Sequence, residues 1–136
     1  TNFLTLTKEF ITEQIPQEYE VSKADQIDLL NRSVDYFKSH DTFDKNEFEE
    51  TVFQDKGIIK SFRSFDQNFQ QQHELDLSES FEISTQAVKK QSRAFKSVLK
   101  LDKNFHIYIH GDRELIEQGV DKDGRKFYKI YYEDEA

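Results

Sequence analysis

Cysteine, methionine and tryptophan are absent from this chain of 136 residues, and proline occurs once, at Pro16. Without cysteine there is no disulfide scaffold, no thiol nucleophile and no Cys-ligated zinc or iron–sulfur site. That absence also fits a reducing cytosol. A native start needs methionine and the chain begins at Thr1, so it is expected to be a fragment of a longer protein, either an excised domain or a processed product. One proline and four glycines exclude a low-complexity linker. No apolar run approaches the roughly 20 residues that span a bilayer, and no signal-peptide pattern opens the chain. Nineteen basic against 27 acidic residues leave a net charge of −8, which excludes a uniformly basic nucleic-acid coat.

What is abundant is aromatic. Thirteen Phe and six Tyr in so acidic a chain imply interior packing, because a disordered acidic tail is poor in such residues. A chain of this length buries roughly two-thirds of its unfolded surface, enough for one core. Residues 1–136 are therefore read as a single domain with two sub-regions, helical over 1–74 and sheet plus helix over 75–136.

The helical half is legible from spacing and caps. Phe3, Leu6 and Phe10 recur at helical intervals, with Leu4, Ile11 and Ile15 on a neighbouring stripe, so a helix is expected from Thr1 to Ile15, ended by Pro16. Ser22 with Asp25 three positions on starts a second, along which Ile27, Leu30, Val34 and Phe37 recur. Asp44 and Glu47 form a capping-box pattern, and Phe43 and Phe48 hold the positions of a hydrophobic staple. Asp55 opens a fourth helix, with Ile58, Phe62, Phe65 and Phe69 on one face, fading into Gln67 to Gln72. Glu74 to Ser80 reads as a connection.

In the second half the period changes. Phe81 to Ile83 alternates like a short strand, and Ser84 or Thr85 caps a fifth helix to about Ala94. Ser97 to Leu101 reads as a strand and Asp102 to Asn104 as a turn. Phe105, Ile107 and Ile109 then alternate as a half-buried strand. Arg113 to Gln118 is expected to form a helical turn with Gly119 as its C-cap. Asp121 to Gly124 is turn chemistry, and Arg125 to Tyr132 a final strand, with one of Tyr131 and Tyr132 in the core. Helices segregated from a mostly antiparallel sheet define an α+β fold.

The net charge conceals an asymmetry. Residues 1–55 hold 5 basic and 13 acidic side chains, residues 56–104 hold 9 and 6, and residues 105–136 hold 5 and 8. Gln86 to Leu101 contains no acid but holds Lys89, Lys90, Arg93, Lys96 and Lys100, with Lys103 close behind. On a helix, Val88 and Phe95 point to the core, while Lys89 and Arg93 form an i,i+4 pair beside Lys90. Cations gathered on one exposed face contact backbone phosphates, each adding salt-dependent affinity. A Lys/Arg stripe is also what an ordinary solvated face looks like, and here it can answer the acidic helices of the first half.

Other candidate sites fail. His106 and His110 lie four apart, and on a strand that spans roughly 13 Å, too far to chelate one ion. His40 and His73 have no evident ligand partners. Asp121-Lys122-Asp123-Gly124 lacks the third acid and the distal Glu of a calcium loop. There is no Gly-rich phosphate loop and no nucleophile elbow. Carboxylate pairs such as Glu49-Glu50 mean nothing without a pocket, so an enzyme has no positive support, and neither a metal nor a cofactor is expected.

Two longer stretches carry a resemblance. One runs from Val21 through Ser22-Lys23-Ala24-Asp25 to Phe37 and on to Thr42-Phe43-Asp44 and Glu47-Phe48. The other runs from Phe95 through Leu101-Asp102-Lys103-Asn104-Phe105 to Arg113, and then Phe127 to Tyr132. Together they resemble the C-terminal part of the bacterial 37-kDa nucleoid-associated protein family, in its Bacteroidetes-like version, over most of the chain. Family members are longer, in keeping with a fragment. The resemblance implies a cytoplasmic protein of the nucleoid that binds DNA, has topoisomerases among its partners and has no catalytic activity. It assigns no functional residues.

An acidic DNA-binding fragment leaves three arrangements open. Binding is confined to the basic window, or the DNA contacts lie in a missing N-terminal part, or this domain serves protein contacts or homodimerisation, with the acids from Glu9 to Asp55 facing a basic partner. A contiguous exposed apolar patch of several hundred Å² favours the last. An enzyme needs a concave pocket with convergent polar groups.

Overall fold

The computed structural model describes residues 2–73, 80–92 and 98–136. The chain has an α+β fold. It opens with α1 (Asn2–Glu9), a π-helical turn (Phe10–Gln14) and α2 (Ile15–Glu18) in succession. The helix does not end before Pro16, as expected, but carries it at the start of α2. In the π-turn the Ile15 N–H reaches back five residues to the Phe10 carbonyl. The proline therefore meets the chain at a restart, where the missing donor costs little.

α3 (Lys23–Ser39) starts at Ser22 with a complete capping box. The Asp25 N–H donates to Ser22 Oγ at 3.1 Å, and the Ser22 N–H donates to Asp25 Oδ2 at 3.0 Å. α4 (Lys45–Val52) is capped by Asp44, which accepts from the Glu47 N–H at 3.0 Å. The reciprocal half of that box is replaced. The Asp44 N–H goes to the Tyr36 hydroxyl, and the Glu47 carboxylate lies 2.8 Å from His40 Nε2. The staple holds, with Phe43 and Phe48 both buried and their rings 5.5 Å apart. α5 (Lys56–Gln72) is capped by Asp55 and runs through the glutamine-rich end without fading.

Among the described residues, the expected single sheet is instead three separate antiparallel ribbons. β1 (Thr42–Asp44), which was not expected as a strand, pairs with β2 (Ser80–Glu82), placing Phe43 opposite Phe81 in a stack with centroids 4.5 Å apart. Residues 74–79 of the expected connection lie outside the described residues. α6 (Thr85–Ser92) follows, and the rest of its expected span lies outside them too. β3 (Val98–Leu101) and β4 (Phe105–Tyr108) form the expected hairpin, and β5 (Ile116–Val120) and β6 (Lys126–Ile130) form another. The first hairpin packs Leu99 and the second Ile116 against Ala24 and Ile27 of α3.

The second hairpin differs in detail from its sequence pattern. The helical turn is a 3₁₀ turn of Arg113–Leu115 only, and the chain becomes extended at Ile116. Gly119 is not a C-cap but lies within β5 opposite Phe127. A Cβ there would meet the Phe127 ring at 2.4 Å, so glycine is required by close approach. The Asp121 to Gly124 turn is as expected. Asp121 Oδ1 accepts from the Asp123 and Arg125 N–H groups, and Gly124 takes a φ of +83°. β6 stops at Ile130, and although the Tyr131 N–H still donates to the Leu115 carbonyl, Tyr131 and Tyr132 both stay exposed. Phe105 at the end of its hairpin is 62% exposed rather than half-buried, whereas Ile107 and Ile109 are half-buried.

Two apolar clusters result. The larger is phenylalanine-rich and joins Phe3 and Phe10 of the first helical segment to Phe37, Phe43, Phe48, Phe53 and Phe62. The smaller joins Ala24 and Ile27 of α3 to Leu99 of β3 and Ile116 of β5. α3 contributes to both and so holds the ribbons against the helices.

Candidate nucleic-acid interface

Of the six basic residues singled out by sequence, the structure describes the side chains of three. Lys89 is exposed on α6 beside buried Val88, as the helical face requires. Lys100 is exposed in β3, and Lys103 is exposed in the turn that follows. Lys90 lies on α6, but its side chain is outside the described set, as are Arg93 and Lys96 entirely.

The β3–β4 register places further groups beside Lys100. Lys100 stands opposite His106, and Val98 stands opposite Tyr108. Residues directly opposite share a face, so Lys100, His106 and Tyr108 lie together on the side facing away from Leu99 and Ile107. Tyr108 is 68% exposed.

The acidic helices are answered elsewhere. Asp28 pairs with Arg32, Glu49 with Arg63, Asp66 with Lys45, and Asp25 with Arg113. Among the described residues, no acid forms an ion pair with Lys8, Lys23, Lys100 or Lys103.

The perturbed acids belong to this internal set. Burial acts to raise the Asp25 pKa, but hydrogen bonds from the Ser22 backbone and hydroxyl and the nearby Arg113 outweigh it and hold the carboxyl below its ordinary range. Burial raises Asp28 against the pull of Arg32 and Arg113, and raises Glu49 against Arg63. Burial likewise raises the Tyr36 hydroxyl. Each of these groups is engaged within the fold, and among the described residues no cluster of His, Asp and Glu is placed to hold a metal ion. Nor is any described helix long and apolar enough to cross a membrane.

Lys100 also lines a concavity of ≈ 420 Å³ that sequence reasoning missed. Lys8 and Thr12 line it from one helical segment, and Thr12 lies in the π-turn. Lys23, Gln26, Ile27 and Leu30 line it from one face of α3, and Val98 and Lys100 from β3. Spacings of four in the first segment and of three, four and seven in α3 signal two helical faces. Nothing in the sequence signals that those faces meet, so Lys8 and Lys23 were counted with the acidic half. The chain matches no family model, no curated protein and no solved structure.

Proposed function

We propose that this domain is a non-enzymatic, nucleoid-associated module that contacts DNA through backbone phosphates, with little base readout, as part of a cytoplasmic protein of the 37-kDa nucleoid-associated type. The observation that carries the reading is the division of the cations. Arg32, Lys45, Arg63 and Arg113 are engaged with the acids of the fold, whereas Lys100 and Lys103 have no ion-pair partner among the described residues. Cations left to solvent on one ribbon, beside an exposed tyrosine and histidine, suit a phosphate backbone. Lys89 and Lys90 on α6, with Arg93 and Lys96, extend the same basic stretch of chain.

The test is a titration against labelled duplex DNA at several salt concentrations. Binding with a steep negative slope of log K against log salt is expected. The variant Lys89→Glu/Lys100→Glu/Lys103→Glu is expected to weaken binding and flatten that slope. Binding unchanged by three reversals removes the basic stretch from the interface.

A second reading has its own observation. Val120, Phe127, Ile130 and Tyr132 are exposed on and beside the β5–β6 ribbon, and exposed apolar groups at a ribbon fit protein contact or homodimerisation. No DNA binding at low salt, together with a concentration-dependent mass in sedimentation, would favour it.

A further inference from the structure

We propose that the groove between α1 with its π-turn, the first two turns of α3 and the edge of β3 is a phosphate site that seats a phosphodiester of the DNA backbone, with Lys8, Lys23 and Lys100 as its cations. This inference rests on the DNA reading above and deepens it. Three separate elements each contribute one lysine to the lining of the same concavity, and among the described residues no acid forms an ion pair with any of them. Three lysines around one concavity raise the local positive potential and favour an anion seated there.

A second, independent observation concerns Gln26. Its side chain lines the groove, the residue is only 8% exposed, and its Oε1 is buried without a hydrogen-bond partner. An unpaired buried amide is costly, and native folds retain few of them. That oxygen has no accessible surface, so the amide atom left to meet an ionised phosphate oxygen is Nε2, an N–H donor. The walls are completed by Ile27, Leu30 and Val98, apolar surfaces that lower the local dielectric and strengthen the charge contacts. Thr12 donates its hydroxyl proton to the Lys8 carbonyl at 2.8 Å, which holds the two residues on one face of the turn.

The experiment compares duplex DNA binding of the wild-type protein, Lys8→Gln/Lys23→Gln, Gln26→Met and the control Lys56→Gln/Lys60→Gln, which removes the same charge from α5. Thermal midpoints check that each variant is folded. The groove double variant is expected to weaken binding and to reduce the salt slope by roughly one for each lysine removed, well beyond the control. Gln26→Met is expected to lower affinity about 2- to 10-fold, the worth of one hydrogen bond, with the slope unchanged and the midpoint equal or higher. A groove double variant indistinguishable from the control, with the wild type still binding, overturns the groove and leaves the DNA reading standing. A wild type that fails to bind DNA at low salt overturns both.

Discussion

Asp25 and Arg113, 88 positions apart in the chain, share one carboxylate across the two halves of the fold. Arg113 Nε donates to Asp25 Oδ1 at 2.9 Å, while Asp25 Oδ2 accepts from the Ser22 N–H at 3.0 Å. Arg113 also donates to the Ile116 carbonyl at the start of β5. One acid thus closes the N-terminus of α3 and ties the second hairpin to it.

Removing that acid is expected to cost about 1–3 kcal/mol in Asp25→Ala, combining a lost capping contact with a lost charge-assisted hydrogen bond. Arg113→Ala is expected to cost less, because an ion pair open to water contributes at most about 1 kcal/mol. Urea denaturation of both single variants and the double variant gives the coupling. A coupling of zero would mean that the pair contributes nothing to stability.

Glu49 lies fully buried, and Arg63 Nε and Nη2 both donate to its Oε1 at 3.2 Å. The Arg63 side chain is 61% exposed. Arg63→Ala is expected to cost about 1–3 kcal/mol at neutral pH, below the figure for a fully buried pair because water reaches the guanidinium. The sign with pH follows from the direction of the shift. The Glu49 pKa is raised above its ordinary 4.5, so the folded state favours the protonated acid, and stability from this group is lost as pH rises through the raised value. Acidification from neutrality should therefore reduce the cost of Arg63→Ala, and Glu49→Gln should lack the associated pH dependence. Asp25 acts oppositely. Its pKa is lowered from 3.8, so its contribution is present above that value and lost below it. Chemical denaturation at stepped pH separates the two.

Gly119 and Phe127 offer a reversal of sign. Gly119→Ala is expected to destabilise by about 1 kcal/mol, because the new Cβ forces the Phe127 ring aside. In a Phe127→Ala background the obstacle is gone, and the same change is expected to stabilise by about 0.5–1 kcal/mol through the lower backbone entropy of alanine. The same sign in both backgrounds, measured by thermal unfolding, would refute the close-approach account.

The two aromatic populations should behave differently. Phe62 is buried, with its ring 4.8 Å from Phe53 and 5.1 Å from Phe10, so Phe62→Ala is expected to cost about 3–5 kcal/mol. Tyr108 is exposed, so Tyr108→Ala is expected to change stability by no more than about 0.5 kcal/mol. A large loss at Tyr108 would mean that the outer face of its ribbon is covered in solution.

Much of the helical half was legible because its signals are local. Ser22 with Asp25, Asp44 with the Glu47 N–H, Asp55 with the Ile58 N–H and Phe43 with Phe48 all act within five residues. The failures are places where a distant segment decides. The expected stop at Pro16 gave way because a π-turn realigned the helical ladder ahead of it. Gly119 looked like a helix cap because glycine permits many backbones, and only Phe127 across the ribbon shows which use it serves. The basic window was legible as composition, but Lys8 and Lys23 were hidden among acids.

By itself, then, the sequence determined the α+β class, the caps and turns, and the aromatic residues available for a core, since these depend on chemistry between near neighbours. The tertiary structure decided that the ribbons stay separate, that Arg113 reaches Asp25, and that Lys8, Lys23 and Lys100 surround one groove. Burial of the two apolar clusters on α3 brings those distant segments together, and no local pattern records where they meet.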